Sequence, residues 1–210
     1  MPRKPRTAPR KIPRQARSRQ TVDAVLDATA RVLVKAGYTA LTTNRVAEVA
    51  GVSVGSLYQY FPSKDALVDA LLERHLETVR RVVFAAMAGL GKLSLREATR
   101  AMVGALAAAH AGDPSLHRVL LSELPRASRM RRLRDWEQTL HGAIVAFLET
   151  HRAELRVTDL PTAAFVVLVA VDGMMTASIL FQPDLTAFDV VDETTTLVMR
   201  YLVRDPERTR

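Results

Sequence analysis

The chain has 210 residues, of which 48% are hydrophobic, 25% charged and only 5% aromatic, a balance that fits one or two globular domains with cores of Ala, Val and Leu and excludes disorder for the bulk of it. No cysteine is present, so disulfide scaffolds, thiolate metal sites and cysteine nucleophiles are excluded, and a reducing cytoplasm is the expected compartment. The net charge of +8 resides wholly in residues 1–20, where Arg3, Lys4, Arg6, Arg10, Lys11, Arg14, Arg17 and Arg19 stand without an acid.

Pro2, Pro5, Pro9 and Pro13 interrupt that basic stretch. Residues 1–18 are therefore expected to form a disordered, extended arm that either binds a polyanion or serves solubility. No apolar run follows the charges, as a secretory signal requires. Beyond the arm, apolar residues recur with helical spacing and no sustained alternation interrupts them, which predicts an all-α fold. The first helix, about 19–36, turns Val22, Val25, Leu26, Thr29 and Leu33 to one face and stops at Gly37. Two short helices follow at about 43–50 and 54–60. A long one at about 64–88 has Ser63 as its cap and ends at Gly89 and Gly91.

Further helices are expected at about 94–111, 114–126, 129–151, 161–181 and 187–203, making nine. Asp113-Pro114, Leu160-Pro161 and Gln182-Pro183 supply the breaks, and Thr186 with Asp189 resembles a capping box. Pro125 either ends the helix at 114–126 or kinks it. Ala163 to Phe181 is apolar and of membrane-spanning length, but Asp172 lies at its centre, so it reads as a helix of a soluble bundle buried on every side, against the rest of the subunit and, as one alternative, a second subunit.

The informative stretch is Leu41 to Leu67, LTTNRVAEVAGVSVGSLYQYFPSKDAL. Its two short helices and tight turn form a helix-turn-helix pattern, the second helix presented to solvent. Thr43 is placed to cap the first helix, Ser53 the second, and Gly51 takes the turn, where a positive φ is cheap for glycine. Val46, Ala50, Val52, Leu57 and Tyr60 fall on the buried side, and Ala47 is small where the helices cross. Val54, Gly55, Ser56, Tyr58 and Gln59 are left exposed. The plainer alternative is a helical hairpin, which ordinarily exposes Lys and Glu. Small and polar residues with tyrosines instead allow close approach to base edges in a major groove.

With its threonine pair, Ala-Gly-Val turn, Gly-Ser-Leu-Tyr helix and Tyr-Phe-Pro-Ser-Lys segment, Leu41 to Leu67 resembles the DNA-binding signature of the TetR (tetracycline repressor-like) family of bacterial regulators. With the first helix it spans residues 19–67. The resemblance implies a three-helix DNA-binding domain over 19–63 and an effector-binding and dimerisation domain over 64–210. It also implies double-stranded DNA as partner, phosphate contacts by Thr43, Tyr58 and Lys64, and contacts from the second short helix by Ser53, Val54, Gly55, Ser56, Gln59 and Tyr60. Asn44 and Arg45 can reach backbone or base edges. Val54 stands where many members carry lysine or another polar residue, so hydrogen-bonded base reading is thin. The arm, with Arg14, Arg17 and Arg19 among its cations, is expected to supply phosphate contacts and minor-groove contacts.

Two-fold dimerisation on a palindromic operator follows from the need for two half-sites. The expected interface is the last two helices, with Phe165, Val169, Asp172, Gly173, Met174, Ala177, Leu197 and Tyr201. Asp172 either caps or cross-links that interface or points into a cavity. The middle helices are expected to enclose a small hydrophobic or aromatic effector, with wall candidates Phe84, Met87, Met102, Leu106, His110, Leu120, Leu121, Trp136, Leu140, Ile144, Phe147 and Met174. Plain core packing is the alternative for each. The resemblance implies a ligand-gated repressor, with an activator or an arm-driven nonspecific DNA binder as the alternatives. No enzymatic motif, cofactor fingerprint or metal-ligand spacing is present: Gly89-Leu90-Gly91-Lys92 lacks the glycine, Ser/Thr and strand of a phosphate loop.

Overall fold

The computed structural model describes residues 16–122, 126–181 and 187–204. Among these the chain is all-α, with nine helices: α1 (Ala16–Ala40), α2 (Thr43–Ala50), α3 (Val54–Tyr60), α4 (Lys64–Met87), α5 (Leu95–Ala111), α6 (Pro114–Ser122), α7 (Arg126–Thr150), α8 (Leu160–Phe181) and α9 (Ala187–Leu202). Each expected helix is present, with shifted ends. α1 begins at Ala16, so Arg17 and Arg19 belong to its first turns and not to the arm, while Arg14 lies outside the described residues. Gly37 breaks α1 with φ 73°, and three residues of helix follow it. α7 starts at Arg126, before the expected 129, and Pro125 and Thr186 lie outside the described residues.

The chain divides into two compact units. One comprises residues up to Glu77 with Ser115–Met130; the other comprises Thr78–Pro114 with Arg131 onward. The sequence puts a functional boundary at 63/64, whereas the packing divides α4 after Glu77 and assigns nearly all of α6 to the first unit.

In the first unit the apolar stripe of α1 is buried as expected, with Val25, Ala28 and Leu33 fully enclosed and Thr29 donating its hydroxyl to the Val25 carbonyl at 2.7 Å. Leu41, Val46, Leu57, Phe61, Leu67 and Leu71 complete this interior, whereas Ala50 and Val52 are only half-buried. α4 opens on Ser63, whose hydroxyl oxygen accepts the Ala66 N–H at 3.1 Å. Farther along, His75 Nε2 lies 3.0 Å from His117 Nδ1 and joins α4 to α6.

In the second unit α5, α8 and α9 pack together. Leu95, Leu148, Leu160, Ala163, Ala164, Val198, Met199 and Leu202 form one enclosed core. The Leu155–Val203 bridge and the bond from Arg156 N–H to the Leu202 carbonyl at 2.8 Å tie the segment before α8 to the end of α9. Ser94 and Glu97 form a reciprocal capping box at the start of α5. The Ser94 hydroxyl, then its backbone N–H, stabilise the Glu97 carboxylate and hold its pKa below the usual range. Asp159 caps α8 likewise, accepting the Thr162 hydroxyl at 2.7 Å and its N–H at 3.1 Å.

Candidate functional site

The helix-turn-helix is built by three local devices. Thr42, not Thr43, caps α2: its backbone is extended (φ −132°, ψ 151°) and its hydroxyl oxygen accepts the Arg45 N–H, the geometry that an N-cap requires. Gly51 then takes the left-handed region at φ 68°, ending α2 with N–H bonds to the Ala47 and Glu48 carbonyls. Ser53 caps α3 and accepts the Ser56 N–H. Leu57 and Tyr60 anchor α3 inward.

Thr43 is released from capping and shares a hydrogen bond with the Tyr58 hydroxyl at 3.0 Å, so α2 and α3 present two exposed hydroxyls side by side. Asn44 and Arg45 are exposed beside them, and Val54, Gly55 and Gln59 lie exposed along α3. Two of the expected contact residues are placed differently. Tyr60, a contact position by the resemblance, is only 8% exposed and belongs to the core, as its helical spacing predicts, because it sits one turn from Leu57 on the inner face of α3. Ser56 is half-buried, and its hydroxyl lies 2.8 Å from that of Ser53, so capping geometry already engages it.

Lys64 is held at the joint between α1 and α4. Its ammonium lies 4.3 Å from the Tyr38 ring centroid and donates to the Tyr38 carbonyl at 3.4 Å. The Tyr38 hydroxyl donates to Asp65. Burial first, then that bond and the nearby carboxylates, push the phenol up to about 12. Nothing in the sequence alone pairs Tyr38 with Lys64, since the residues are 26 positions apart.

A separate cavity of about 90 Å³ lies in the second unit. Of the expected wall residues, Met102, Leu106, Leu140, Ile144 and Phe147 line it, whereas Leu120 is buried on α6 outside the lining. Val83 of α4, Ala98, Thr99 and Val103 of α5, Leu148 of α7, Val167, Leu168 and Val171 of α8, and Val198 and Leu202 of α9 complete the wall. The lone hydroxyl, on Thr99, is donated to the Leu95 carbonyl at 2.7 Å. Phe84 is 42% exposed and Met174 36% exposed, so neither is in the wall, because each lies on the outer side of its helix. His110 is buried on α5 outside the lining, and Met87 packs beside Val79 and Val83. The side chains of Leu121 and Trp136 lie outside the described residues. Valine is the commonest type among the missed residues. They are interior by helical spacing, but spacing does not show which interior residues border empty space.

α8 has two apolar faces. Ala163, Ala164 and Met175 are buried and Val167, Leu168 and Val171 reach the cavity, while Phe165 is 59%, Val169 52% and Phe181 73% exposed on the other side. This is the helix that the sequence expects to be enclosed all round. Among the described residues it alone is long and apolar enough to cross a membrane. Asp172, Gly173, Met174 and Ala177 are also exposed on α8, as is Leu197 on α9. Tyr201 is half-buried, with the Arg156 guanidinium 5.6 Å from its ring centroid. Apolar surroundings, and secondarily the Glu137 charge, raise the pKa of the Asp172 carboxyl.

Residues 94–202 match the family described as "Tetracyclin repressor-like, C-terminal domain", and residues 25–71 match "Bacterial regulatory proteins, tetR family". Over 57 residues the chain is 46% identical to the HTH-type transcriptional regulator YvkB of Bacillus subtilis, covering 27% of this chain and 30% of that protein. Over 55 residues it is 47% identical to the HTH-type transcriptional repressor KstR of Mycolicibacterium smegmatis, covering 26% of this chain and 27% of the other. These matches thus span under a third of either relative. The fatty acid degradation regulator FadR of Bacillus halodurans has the same fold, at TM-score 0.69 and 19% identity over 84% of this chain and 96% of the other.

Proposed function

The chain belongs to the TetR (tetracycline repressor-like) family of DNA-binding transcriptional regulators, and from that premise we propose that it is a cytoplasmic, homodimeric repressor released from a palindromic operator by a small apolar ligand. In this reading Thr43, Tyr58 and Lys64 take phosphates, and Asn44, Arg45, Val54, Gly55 and Gln59 face the groove. Arg14, Arg17 and Arg19 add backbone and minor-groove charge contacts. Phe165, Val169, Asp172, Gly173, Met174, Ala177, Leu197 and Tyr201 meet a second copy. An apolar face of this extent on a helix that buries its opposite side is the ordinary mark of a subunit interface.

The observation that carries the ligand-gated part is the course of α4. Val83 stands in the cavity wall, and the same helix begins at Lys64, which is fixed to Tyr38 at the end of α1. A ligand bound beside Val83 with different affinity for two positions of α4 shifts the separation of the two α3 helices in the dimer and so the operator affinity. The wall offers no charge, and its one hydroxyl is satisfied internally, which favours a neutral hydrophobic or aromatic molecule.

A footprint on the DNA flanking its own gene, at near-physiological salt with unrelated duplex as competitor, tests the proposal. The expected result is a protected palindrome with half-sites about one helical turn apart. Uniform protection abolished by competitor overturns it in favour of nonspecific binding through the arm.

A further inference from the structure

The polar groups on the exposed side of α3 are largely engaged within the protein. The Ser53 hydroxyl accepts the Ser56 N–H and lies 2.8 Å from the Ser56 hydroxyl, and the Tyr58 hydroxyl is bonded to Thr43. The helix, VGSLYQY, carries no Lys or Arg. What it offers to a base edge is the Gln59 amide and the two methyl groups of Val54, which is 39% exposed.

The next residue is glycine without a structural reason. Gly55 has no positive φ, and a Cβ built there meets only the Ser53 hydroxyl oxygen, at 4.0 Å. A helical glycine costs stability, and nothing among the described residues requires it. Its effect is to leave bare backbone beside Val54 on the surface turned outward, where a duplex edge can approach closely.

We infer that Val54 reads the 5-methyl group of a thymine in each operator half-site, with Gly55 supplying the close approach. The chemistry is specific: among the base edges of the major groove, thymine alone offers an apolar group, which side-chain methyls recognise. The inference rests on the reading of this head as a sequence-specific binder.

The test uses the full-length protein and a duplex enriched from a random pool at fixed salt. Each thymine is replaced singly by deoxyuridine, which removes the methyl and leaves the hydrogen-bonding edge intact. At one symmetry-related pair of positions, loss of each methyl is expected to weaken binding about fourfold, the value of one buried methyl-sized group. With Val54→Ala the same replacement changes affinity less than about 1.5-fold, and Val54→Thr, which keeps one methyl, falls between. Gly55→Ala is expected to raise the melting temperature while weakening operator binding.

Methyl sensitivity that persists undiminished in Val54→Ala, or a wild-type protein indifferent to every deoxyuridine, overturns the thymine assignment. Unchanged operator affinity in Gly55→Ala overturns the close-approach role. Failure to enrich any duplex is a separate result, which overturns the sequence-specific reading itself and this inference with it.

Discussion

Two adjacent threonines illustrate how finely residue roles divide in the head. Thr42 satisfies the Arg45 N–H and fixes the start of α2, whereas Thr43 bonds only to another exposed hydroxyl. Thr42→Ala is therefore expected to cost about 1 kcal/mol of unfolding free energy. Thr43→Ala is expected to stay within about 0.5 kcal/mol of wild type while weakening DNA binding. Urea denaturation and a gel-shift titration separate the two. Gly51 and Gly55 divide in the same way. Gly51 stands at φ +68° with open space around it, so Gly51→Ala costs about 1–2 kcal/mol through backbone strain alone. Tyr38 carries a pH dependence. Its folded pKa of about 12 exceeds the ordinary 10.0, so its contribution is whole below the unfolded value and is lost as pH rises through the folded one. Tyr38→Phe should flatten stability over that alkaline window.

At the scale of elements, α8 is the most informative, because its two faces do different work. Toward the cavity, Val171→Phe fills free space, and it is expected to abolish the response to an apolar inducer while leaving apo operator affinity unchanged, as a reporter assay with candidate ligands would show. On the outer side Asp172 interrupts an apolar face. Its pKa is raised, chiefly by desolvation among apolar neighbours and then by the Glu137 charge, so folding favours the neutral acid. The stabilisation is present below the unfolded value near 3.8 and is lost as pH rises through the folded one. Asp172→Asn should tighten self-association at neutral pH and remove its pH dependence, measured by sedimentation. Association unchanged by this substitution would exclude Asp172 from the interface.

At the scale of the whole molecule, affinity for DNA depends on what is added to a head with few cations of its own. Two additions are proposed, a second copy and the basic arm. Phe165→Glu with Val169→Glu places charges on the exposed face of α8 and is expected to yield monomers that bind one half-site weakly. Removing residues 1–15 leaves α1 whole, and it should reduce the slope of log affinity against log salt by about one for each phosphate that the arm neutralises. An unchanged slope would show that the arm neutralises none.

Much of this molecule was legible before its structure, for definite reasons. Helical spacing, prolines and caps are local properties, and so the nine helices of the described residues, the glycine turn at Gly51 and the Ser53 and Ser63 caps follow from neighbours in the chain. The choice of Thr42 over Thr43 did not, because both satisfy the same composition rule and only backbone geometry separates them. Side-chain roles that depend on distant residues were likewise hidden: Lys64 against Tyr38 and His75 against His117. The cavity shows the same limit. Met102, Leu106, Leu140 and Phe147 were candidates by type, but Phe84 and Met174 are of the same type and lie outside it. The sequence by itself determined which segments are helical and where the helix-turn-helix lies, because periodicity and capping are carried by residues a few positions apart. Tertiary packing decided where the empty volume lies and which side chains remain available for a partner, because both depend on how helices distant in sequence are set against each other.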